Sequence, residues 1–315
     1  MNEKEVTITK VQRGLAETLK EPLRNSGLRR KRKIFIKPNM SAPEYIPGAI
    51  TTPALLYELV RLLRDEVEEV IVGESDGYNY PCQLAFEKTG IRKAVEKAGG
   101  IVVNLSEDKV VEVKFRGGPL KKLYLPKTVL EADAIVDVPL MKTHELMMYS
   151  GAIKNLFGCL PDNRRIFLHP YLAEVFFRLF SILKPDLTVM DGLVAMEGNG
   201  PTKGKPVKMD LVLTSNCALS TDIVASRIMG LDWKKIEYLN YIAKKTDLRE
   251  DSIKVSGCRV SEVARNFELP RIDLPVKAQM QIYNNAFLTK TFFCSLDVVK
   301  LFQTATVAYR KTQKK

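Results

Sequence analysis

Residues 141–158, with the sequence MKTHELMMYSGAIKNLFG, concentrate side chains that could do chemistry. Lys142, His144, Lys154 and Asn155 fall within fourteen positions, although the whole chain has only two histidines. Lysine ammonium groups bind carboxylates and phosphates, and imidazole transfers protons near neutral pH. The stretch therefore predicts an anion site, with Lys142, His144 and Lys154 as its catalytic groups. The alternative is a structural histidine beside two solvated lysines.

A short helix is predicted to present part of this stretch. Ser150 is a candidate N-cap, and Gly158 is a residue type that commonly ends a helix. Gly151 would leave the first turn open, so that an anion could approach its N–H groups. The apolar residues between them would form the buried stripe of the helix, so Lys154 and Asn155 would point away from the core. We therefore expect Gly151 and Asn155 to bind the ligand.

Four carboxylates lie at or just beyond predicted strand ends in other parts of the chain: Glu74, Asp76, Asp191 and Glu197. Carboxylates that meet near lysines either pair with them or hold a hard cation such as magnesium. The sequence therefore predicts a divalent-metal site made from these four groups. For Glu197 the alternative is a role in shaping a tight loop.

Further ligand-binding groups are expected at Lys37 and Asn39, where the run IFIKPN leaves its strand, and at Asn199. Asn199 lies in AMEGNGPTKGKP, residues 195–206, which is rich in glycine. This loop is one residue short of the phosphate-binding loop of ATPases and lacks its Ser/Thr, so ATP binding of that type is excluded.

The elements that must position these groups alternate between strands and helices. Apolar runs bounded by turn residues predict strands, and leucines or aromatics at helical spacing predict helices between them. This alternation predicts an α/β fold, with a mostly parallel sheet and helices on both faces. Polar residues at the carboxyl ends of its strands would meet at one edge, where ligands bind in such sheets. The predicted strands include IFIKPN, VEEVIVGESDG, ADAIVDVP, DLTVMDG and MDLVLTS, the first ending near Asn39.

The chain is expected to form two α/β lobes with a cleft, followed by an arm. Residues 1–140 would form the N-terminal lobe, and residues 141–260 the second lobe, which carries the KTH, GAIKN and MEGNGP motifs. Residues 261–315 would form a C-terminal arm with a basic tail. Such an arm packs on the body of the protein or on a second copy of the chain, so a homo-oligomer is a candidate assembly. Its aromatic residues beside lysines leave attachment to a membrane surface as the alternative.

Composition predicts a soluble cytoplasmic protein. Of the 315 residues, 45% are hydrophobic and 27% charged, which is an ordinary globular balance. We identify no apolar run long enough for a transmembrane segment and no apolar signal region after MNEKEVTITK. The five cysteines are spread singly, so we expect no iron–sulphur cluster in this chain.

The net charge of +12 favours an anionic partner, which could be a metabolite, nucleic acid or a membrane surface. The basic runs at residues 29–33 and 310–315 support nucleic-acid binding as an alternative function. Aromatic residues make up only 8% of the chain and do not interleave with those runs, which counts against stacking on bases.

Several longer motifs resemble a known family, the domain of unknown function 362, from about Lys33 to Gly257. Some members carry a ferredoxin-like iron–sulphur domain, so the resemblance implies redox-linked chemistry, for which a separate ferredoxin-like protein would be the partner. The chain departs from the family at Thr52, where a histidine is expected, and this counts against a histidine-rich metal site. The layout also resembles, distantly, the nickel-pincer lactate racemase group. The motifs are KPN, GESDG, KTHxxxxxxGAIKNLFG, DLTVMDGLVAMEGNGPxxG and STDIVASRIMG.

The sequence therefore predicts an intracellular enzyme that acts on a small anionic metabolite or cofactor precursor, with metal assistance or a redox link. A non-catalytic nucleic-acid-binding protein and an accessory protein that docks an iron–sulphur partner are the alternatives.

Overall fold

The apolar runs predicted as strands form one central sheet in the computed structural model, which describes residues 4–77, 80–161, 163–294 and positions 298, 301, 304 and 305. The basic tail at 310–315 lies outside the described residues. The strands are β1 (Glu5–Lys10), β2 (Lys33–Pro38), β3 (Glu69–Glu74), β4 (Ile101–Asn104), β5 (Val110–Lys114), β6 (Lys122–Pro126), β7 (Ala134–Val138), β8 (Leu140–His144), β9 (Met148–Ser150), β10 (Leu187–Glu197), β11 (Lys205–Ser215) and β12 (Lys254–Gly257).

Helices connect most of these strands and cover the sheet. The α-helices are α1 (Leu15–Asn25), α2 (Pro53–Arg64), α3 (Cys82–Lys88), α4 (Ile91–Lys97), α5 (Lys127–Leu130), α6 (Ala152–Asn155), α7 (Leu172–Leu183), α8 (Ala218–Ile228), α9 (Glu237–Thr246), α10 (Val260–Val263), α11 (Leu274–Tyr283) and α12 (Ala286–Phe293). The 3₁₀ helices are Leu28–Arg30, Leu156–Cys159, Asn163–Tyr171, Trp233–Lys235 and Glu250–Ser252.

The sheet is mixed, with the strand order β12-β1-β11-β10-β7-β2-β3-β4, and β8 and β9 extend it beside β10. Strands β4, β3, β2, β7 and β10 run parallel, whereas β11 is antiparallel to both of its neighbours. The predicted α/β fold with a mostly parallel sheet is confirmed. Strands from both sides of residue 140 share this sheet, and the division of the chain at residues 140 and 260 stays a prediction.

Helices cover both faces of the sheet, as parallel strands require. Successive residues of a strand point to opposite faces, so Phe35 and Ile36 enter different cores. Phe35 packs in a core that includes Phe176 of α7, and Ile36 packs in another that includes Leu59 of α2. The central strands are therefore buried on both sides, and their polar residues emerge at the strand ends.

Strand β1 precedes the strand predicted to come first, so that expectation was wrong. Its sequence EVTITK alternates polar and apolar residues, and Val6 and Ile8 are fully buried. Paired between β11 and β12, it buries one face, which is what this alternation indicates.

The helical stretch Arg165–Leu183 is long and apolar enough to cross a membrane, with 19 residues and a mean hydropathy of 1.5. The core helix of a globular protein meets the same criterion, and Val175, Phe176 and Leu179 of this stretch pack into the core. The predicted absence of a transmembrane segment and the predicted cytoplasmic location stay predictions.

Candidate functional site

A cleft of about 730 Å³ opens at the carboxyl ends of β2 and β3. It forms there because β2 and β3 are parallel, so that Lys37 and Glu74 leave the sheet at the same edge. Cations, amides, hydroxyls and one carboxylate line it together. Its polar lining comprises Asn39, Ser41, Glu74, Ser75, Tyr80, Lys154, Asn155, Arg165, Thr202 and Lys203.

Lys154 is the sequence-predicted catalytic group that lines this cleft. It belongs to α6, whose Ile153 is fully buried, so the helix turns Lys154 towards the cavity as predicted. Burial, together with the positive charges of Arg165 and Lys37, lowers the pKa of Lys154 to about 8. Its amine can therefore change protonation state near neutral pH.

Lys37 does not face the ligand space, although it was predicted to bind a ligand. Its ammonium is fully buried and donates to Glu74 Oε2 at 2.5 Å and to the carbonyl of Pro38 at 2.6 Å. The backbone at Gly158 covers this ion pair closely, since a Cβ there would collide with Glu74 Oε1 and lie 2.7 Å from Lys37 Nζ. Lys37 therefore holds Glu74 at the cleft wall.

A chain of hydrogen bonds runs behind the cleft from Asp137 to Lys142. Asn155 donates to Asp137 Oδ1 at 2.7 Å, Asn39 donates to Asn155 Oδ1 at 2.9 Å, and Lys142 donates to Asn39 Oδ1 at 2.7 Å. All four side chains are buried. Asp137 is an acceptor at one end and Lys142 a donor at the other, so the orientation of both amides is fixed.

Lys142 is therefore a positioning residue, since it is 1% exposed and does not line the cleft. Besides Asn39 it donates to Ser41 Oγ at 2.8 Å and to the carbonyl of Ala49 at 3.0 Å. Burial and the charge of Lys154 lower the pKa of Lys142 well below its usual value. The charge of Lys154 therefore disfavours the charged form of Lys142.

The N-terminus of α6 is occupied by Asp222, which corrects the prediction that Gly151 helps to bind an anion. Asp222 accepts hydrogen bonds from the N–H groups of Ala152 at 2.6 Å and Ile153 at 2.9 Å. Tyr149 donates to the same carboxylate at 3.0 Å, and burial raises the pKa of Asp222 to about 7. Gly151 is needed because a Cβ there would collide with Asp222 and Tyr149.

The four carboxylates predicted to hold a metal ion are not grouped in the structure, because these side chains have separate partners, and metal binding by them stays a prediction. Glu74 pairs with Lys37, Asp76 accepts from the N–H of Cys82, and Asp191 accepts from the N–H groups of Thr52 and Leu193. Throughout residues 4–77, 80–161 and 163–294, no three His, Cys, Asp or Glu side chains are grouped to hold an ion.

Glu197 and Asn199 bind the segment that follows α10 and do not line the cleft. Glu197 Oε2 accepts from the N–H of Glu268 at 3.1 Å, and Asn199 Oδ1 accepts from the N–H of Arg271 at 2.7 Å. The alternative interpretation of Glu197, as a residue that shapes its loop, is the one that this geometry favours. Asn199 likewise has a partner within the chain, and its predicted contact with a ligand stays a prediction.

His144 lies in a second cavity, of about 350 Å³, together with Lys154 and the other histidine, His169. Its Nδ1 accepts from the N–H of Leu146 at 3.2 Å. Burial, Lys154 and Lys142 lower the pKa of His144 well below its usual value, so the imidazole is neutral at physiological pH. Lys154 lines both cavities and therefore separates the open cleft from the space around His144.

Sequence reasoning missed Arg165, Lys203 and Asp137. Arg165 donates to the carbonyls of Leu160 at 2.9 Å and Asp76 at 2.7 Å, which fixes its guanidinium beside the cleft. Arg165 stands in no pattern that marks it, whereas Lys203 belongs to the glycine-rich loop at residues 195–206. Asp137 does carry a signal, because it is the carboxylate inside the apolar run AIVDVP, residues 134–139. Burial raises its pKa well above the usual value.

The basic run at residues 29–33 forms ion pairs with an acidic run at residues 65–69. Arg29 pairs with Glu66, Arg32 with Glu68, and Lys33 with Glu69. These ion pairs offset part of the charge that supported nucleic-acid binding.

Comparisons with known proteins agree with the motifs. The sequence pattern of the family described as Domain of unknown function (DUF362) matches residues 34–227, which confirms the predicted resemblance. Thylakoid-associated protein sll1697 from Synechocystis is 27% identical over 280 residues, covering 82% of this chain and 83% of that protein. Lactate racemase apoprotein from Thermoanaerobacterium thermosaccharolyticum matches 73% of this chain at 16% identity and a TM-score of 0.47. The match spans 59% of the racemase chain.

Proposed function

The chain belongs to the domain of unknown function 362 family, and we propose that it is an enzyme whose cleft binds a small anionic metabolite. Lys154, Arg165 and Lys203 would bind the carboxylate or phosphate of that metabolite, and Lys154 would transfer a proton. The observation that carries the proposal is the position of Lys154 in the cleft, with a pKa lowered to about 8.

The charges of the cleft favour an anion. Three cationic side chains line it, whereas its carboxylate, Glu74, already pairs with Lys37. The guanidinium of Arg165 is held by two carbonyls, so little side-chain entropy is lost when its remaining N–H groups bind a ligand. Asn39 and Ser41 add neutral hydrogen-bonding groups to the same wall.

Proton transfer is the chemistry that suits Lys154. An amine with a pKa near 8 is roughly one tenth deprotonated at pH 7, so both the base and its conjugate acid are available. An ordinary lysine has almost no free base at that pH. Arg165 and Lys203 would hold the anionic group while Lys154 takes a proton from, or gives one to, the neighbouring atom of the ligand.

The remaining groups would keep Lys154 and the ligand in place. Asp222 fixes the start of α6, and the hydrogen-bonded amides of Asn39 and Asn155 fix its end beside β2. No step assigned here uses a metal ion, because the four carboxylates predicted to hold one have separate protein partners.

Sulfate binding tests the anion site, since sulfate does not titrate near neutral pH. Calorimetry at constant ionic strength should give saturable binding to the wild type and at least ten-fold weaker binding to Lys154→Met, about 1.4 kcal/mol. Lys93→Met removes an exposed lysine from α4, outside the cleft, and should change the affinity less than two-fold. Equal weakening in both variants would show that net charge alone attracts the anion, and the proposal would fail.

Proton transfer needs its own measurement. Small carboxylic acids and phosphate esters are incubated with the protein in D₂O, and incorporation of deuterium at carbon is followed by NMR. We expect one class of compound to exchange with the wild type and not with Lys154→Met. Equal exchange with both proteins would remove Lys154 from the reaction.

A further inference from the structure

The second cavity, of about 350 Å³, has walls made largely of aromatic rings, and we call it the aromatic chamber. It adjoins the cleft, because Lys154 and Phe157 line both spaces. Helix α11 closes one side with Met280 and Tyr283. A ligand that fills the chamber therefore lies next to the group assigned to proton transfer. The aromatic lining comprises Phe157, Tyr171, Phe176, Tyr238, Tyr241 and Tyr283, together with both histidines.

The rings of the chamber already pack as aromatic pairs. Phe176 lies edge-on to Phe157 at 5.7 Å and to Tyr238 at 5.2 Å between ring centroids. The rings of His169 and Tyr283 are 4.2 Å apart and tilted by 38°. Aromatic side chains favour edge-to-face and offset contacts, so a flat ring in this space would meet both edges and faces.

The two histidines of the chamber are held in opposite tautomers. Nδ1 of His144 accepts a hydrogen bond from the backbone N–H of Leu146, so in the neutral ring the proton is on Nε2. Nδ1 of His169 lies 2.8 Å from the carbonyl of Ile166, which can only accept, so there the proton is on Nδ1. The Nε2 atoms are therefore a donor in His144 and an acceptor in His169.

Both imidazoles stay neutral in this setting. Burial is the main cause for each, and it lowers the pKa of His169 to about 4. The chamber therefore combines ring surface with one imidazole donor and one imidazole acceptor, and Glu174, Glu237 and Asn284 add further polar groups to its wall. Positive charge is concentrated at Lys154 and in the cleft beyond it.

We propose that the aromatic chamber is a second binding site, for an uncharged planar ring that carries both a hydrogen-bond donor and an acceptor, such as a lactam. The ring and the anion of the cleft would be two parts of one ligand, joined past Lys154. This inference rests on the proposed function for the anionic part, but the ring site can be tested alone.

The probe is 2-pyridone, a small neutral lactam, and its binding is followed by saturation-transfer NMR and titration. We expect saturable binding to the wild type, with a Kd of about 1 mM for a fragment of this size. Ala173→Phe adds a ring to the chamber wall at a half-buried position of α7, and should weaken binding at least ten-fold. Ser181→Phe makes the same kind of change in the same helix, outside the chamber, and should leave 2-pyridone binding within two-fold.

Sulfate separates this inference from the proposed function. Lys154→Met should lose sulfate binding and keep 2-pyridone binding, whereas Ala173→Phe should do the reverse. His169→Phe keeps a ring but removes the acceptor, and should weaken 2-pyridone at least five-fold without loss of sulfate binding. If wild type binds sulfate but not 2-pyridone, or if Ser181→Phe and Ala173→Phe weaken 2-pyridone equally, the ring site is refuted while the anion site stands. Binding of 2-pyridone without sulfate would support the ring site and refute the anion site.

Discussion

The side-chain amide of Asn39 donates a hydrogen bond of 2.9 Å to the side-chain oxygen of Asn155, which lies 116 positions later in the chain. This bond joins the end of β2 to the end of α6, the helix that carries Lys154. Its direction is set from outside the pair, since Asp137 accepts from Asn155 and Lys142 donates to Asn39. Asn155 therefore lies next to a carboxylate and Asn39 next to an ammonium, so the two asparagines have different electrostatic surroundings.

Because the surroundings differ, replacing each asparagine by aspartate should lower the free energy of unfolding by different amounts. Asn155→Asp places a second carboxyl group against buried Asp137 in place of an amide donor, and should lower the free energy of unfolding by about 3–5 kcal/mol. Asn39→Asp places its charge next to Lys142, and should cost at least about 1 kcal/mol less. Urea unfolding of both variants measures this difference, and equal costs would contradict the assigned direction of the bonds.

The pKa of Lys154 predicts how anion binding depends on pH. The ammonium form binds the anion, so sulfate affinity should be constant below pH 7 and decrease as pH rises through 8. Between pH 7 and pH 9 the protonated fraction falls roughly ten-fold, and the affinity should fall with it. Lys154→Met should have weak affinity without this decrease. The same decrease in the variant would assign the titration to another group.

Asp222 predicts a pH dependence of stability. Its pKa is about 7 in the folded protein and 3.8 as a free side chain, so the folded state holds the proton more tightly. The stabilisation from this group is therefore complete below pH 4 and is lost as pH rises through 7. Asp222→Asn should reduce the loss of stability between pH 5 and pH 7, measured by urea unfolding. An unchanged loss would mean that Asp222 does not titrate there.

We expect a large coupling free energy between Lys37 and Glu74, because their ion pair is buried. Glu74→Gln removes the counter-charge of a fully buried ammonium and should cost about 3–5 kcal/mol, whereas Lys37→Met combined with Glu74→Gln should cost clearly less than the sum. The exposed pair of Lys88 and Glu44 is the control, with a coupling of about 0–1 kcal/mol. Additive costs at the buried pair would contradict the ion pair.

We expect substitution of Glu197 to affect only the segment around Glu268. Glu197→Gln replaces the charge-assisted hydrogen bond from the N–H of Glu268 with a weaker neutral one, so that segment should exchange its amide hydrogens faster. Sulfate affinity should stay within two-fold of the wild type, because Glu197 does not line the cleft. A ten-fold loss of affinity would restore the ligand role that the sequence had predicted.

The local sequence pattern was enough to predict the fold class and the edge of the sheet where the candidate site lies. The runs IFI and VIV are apolar without interruption, which is the pattern of parallel strands buried on both faces. The polar residues that end such runs emerge at one edge, so Lys37, Asn39 and Glu74 could be placed near Lys154 and Asn155. The helical spacing of Ile153 and Lys154 was likewise enough to turn the lysine towards a cavity.

Tertiary structure decided which partner each polar group has. The spacing of residues in the sequence indicates that a carboxylate follows a strand. It does not indicate whether a lysine, a helix N-terminus or another segment lies close enough to bind that carboxylate. Asp222 reaches the N–H groups of α6 from 70 positions away and so takes the place predicted for an external anion. Glu197 meets Glu268, and Arg165 reaches the cleft from a stretch with no periodic signal. Buried charges and hydrogen bonds depend on contacts between distant parts of the chain, and only the folded arrangement supplies those contacts.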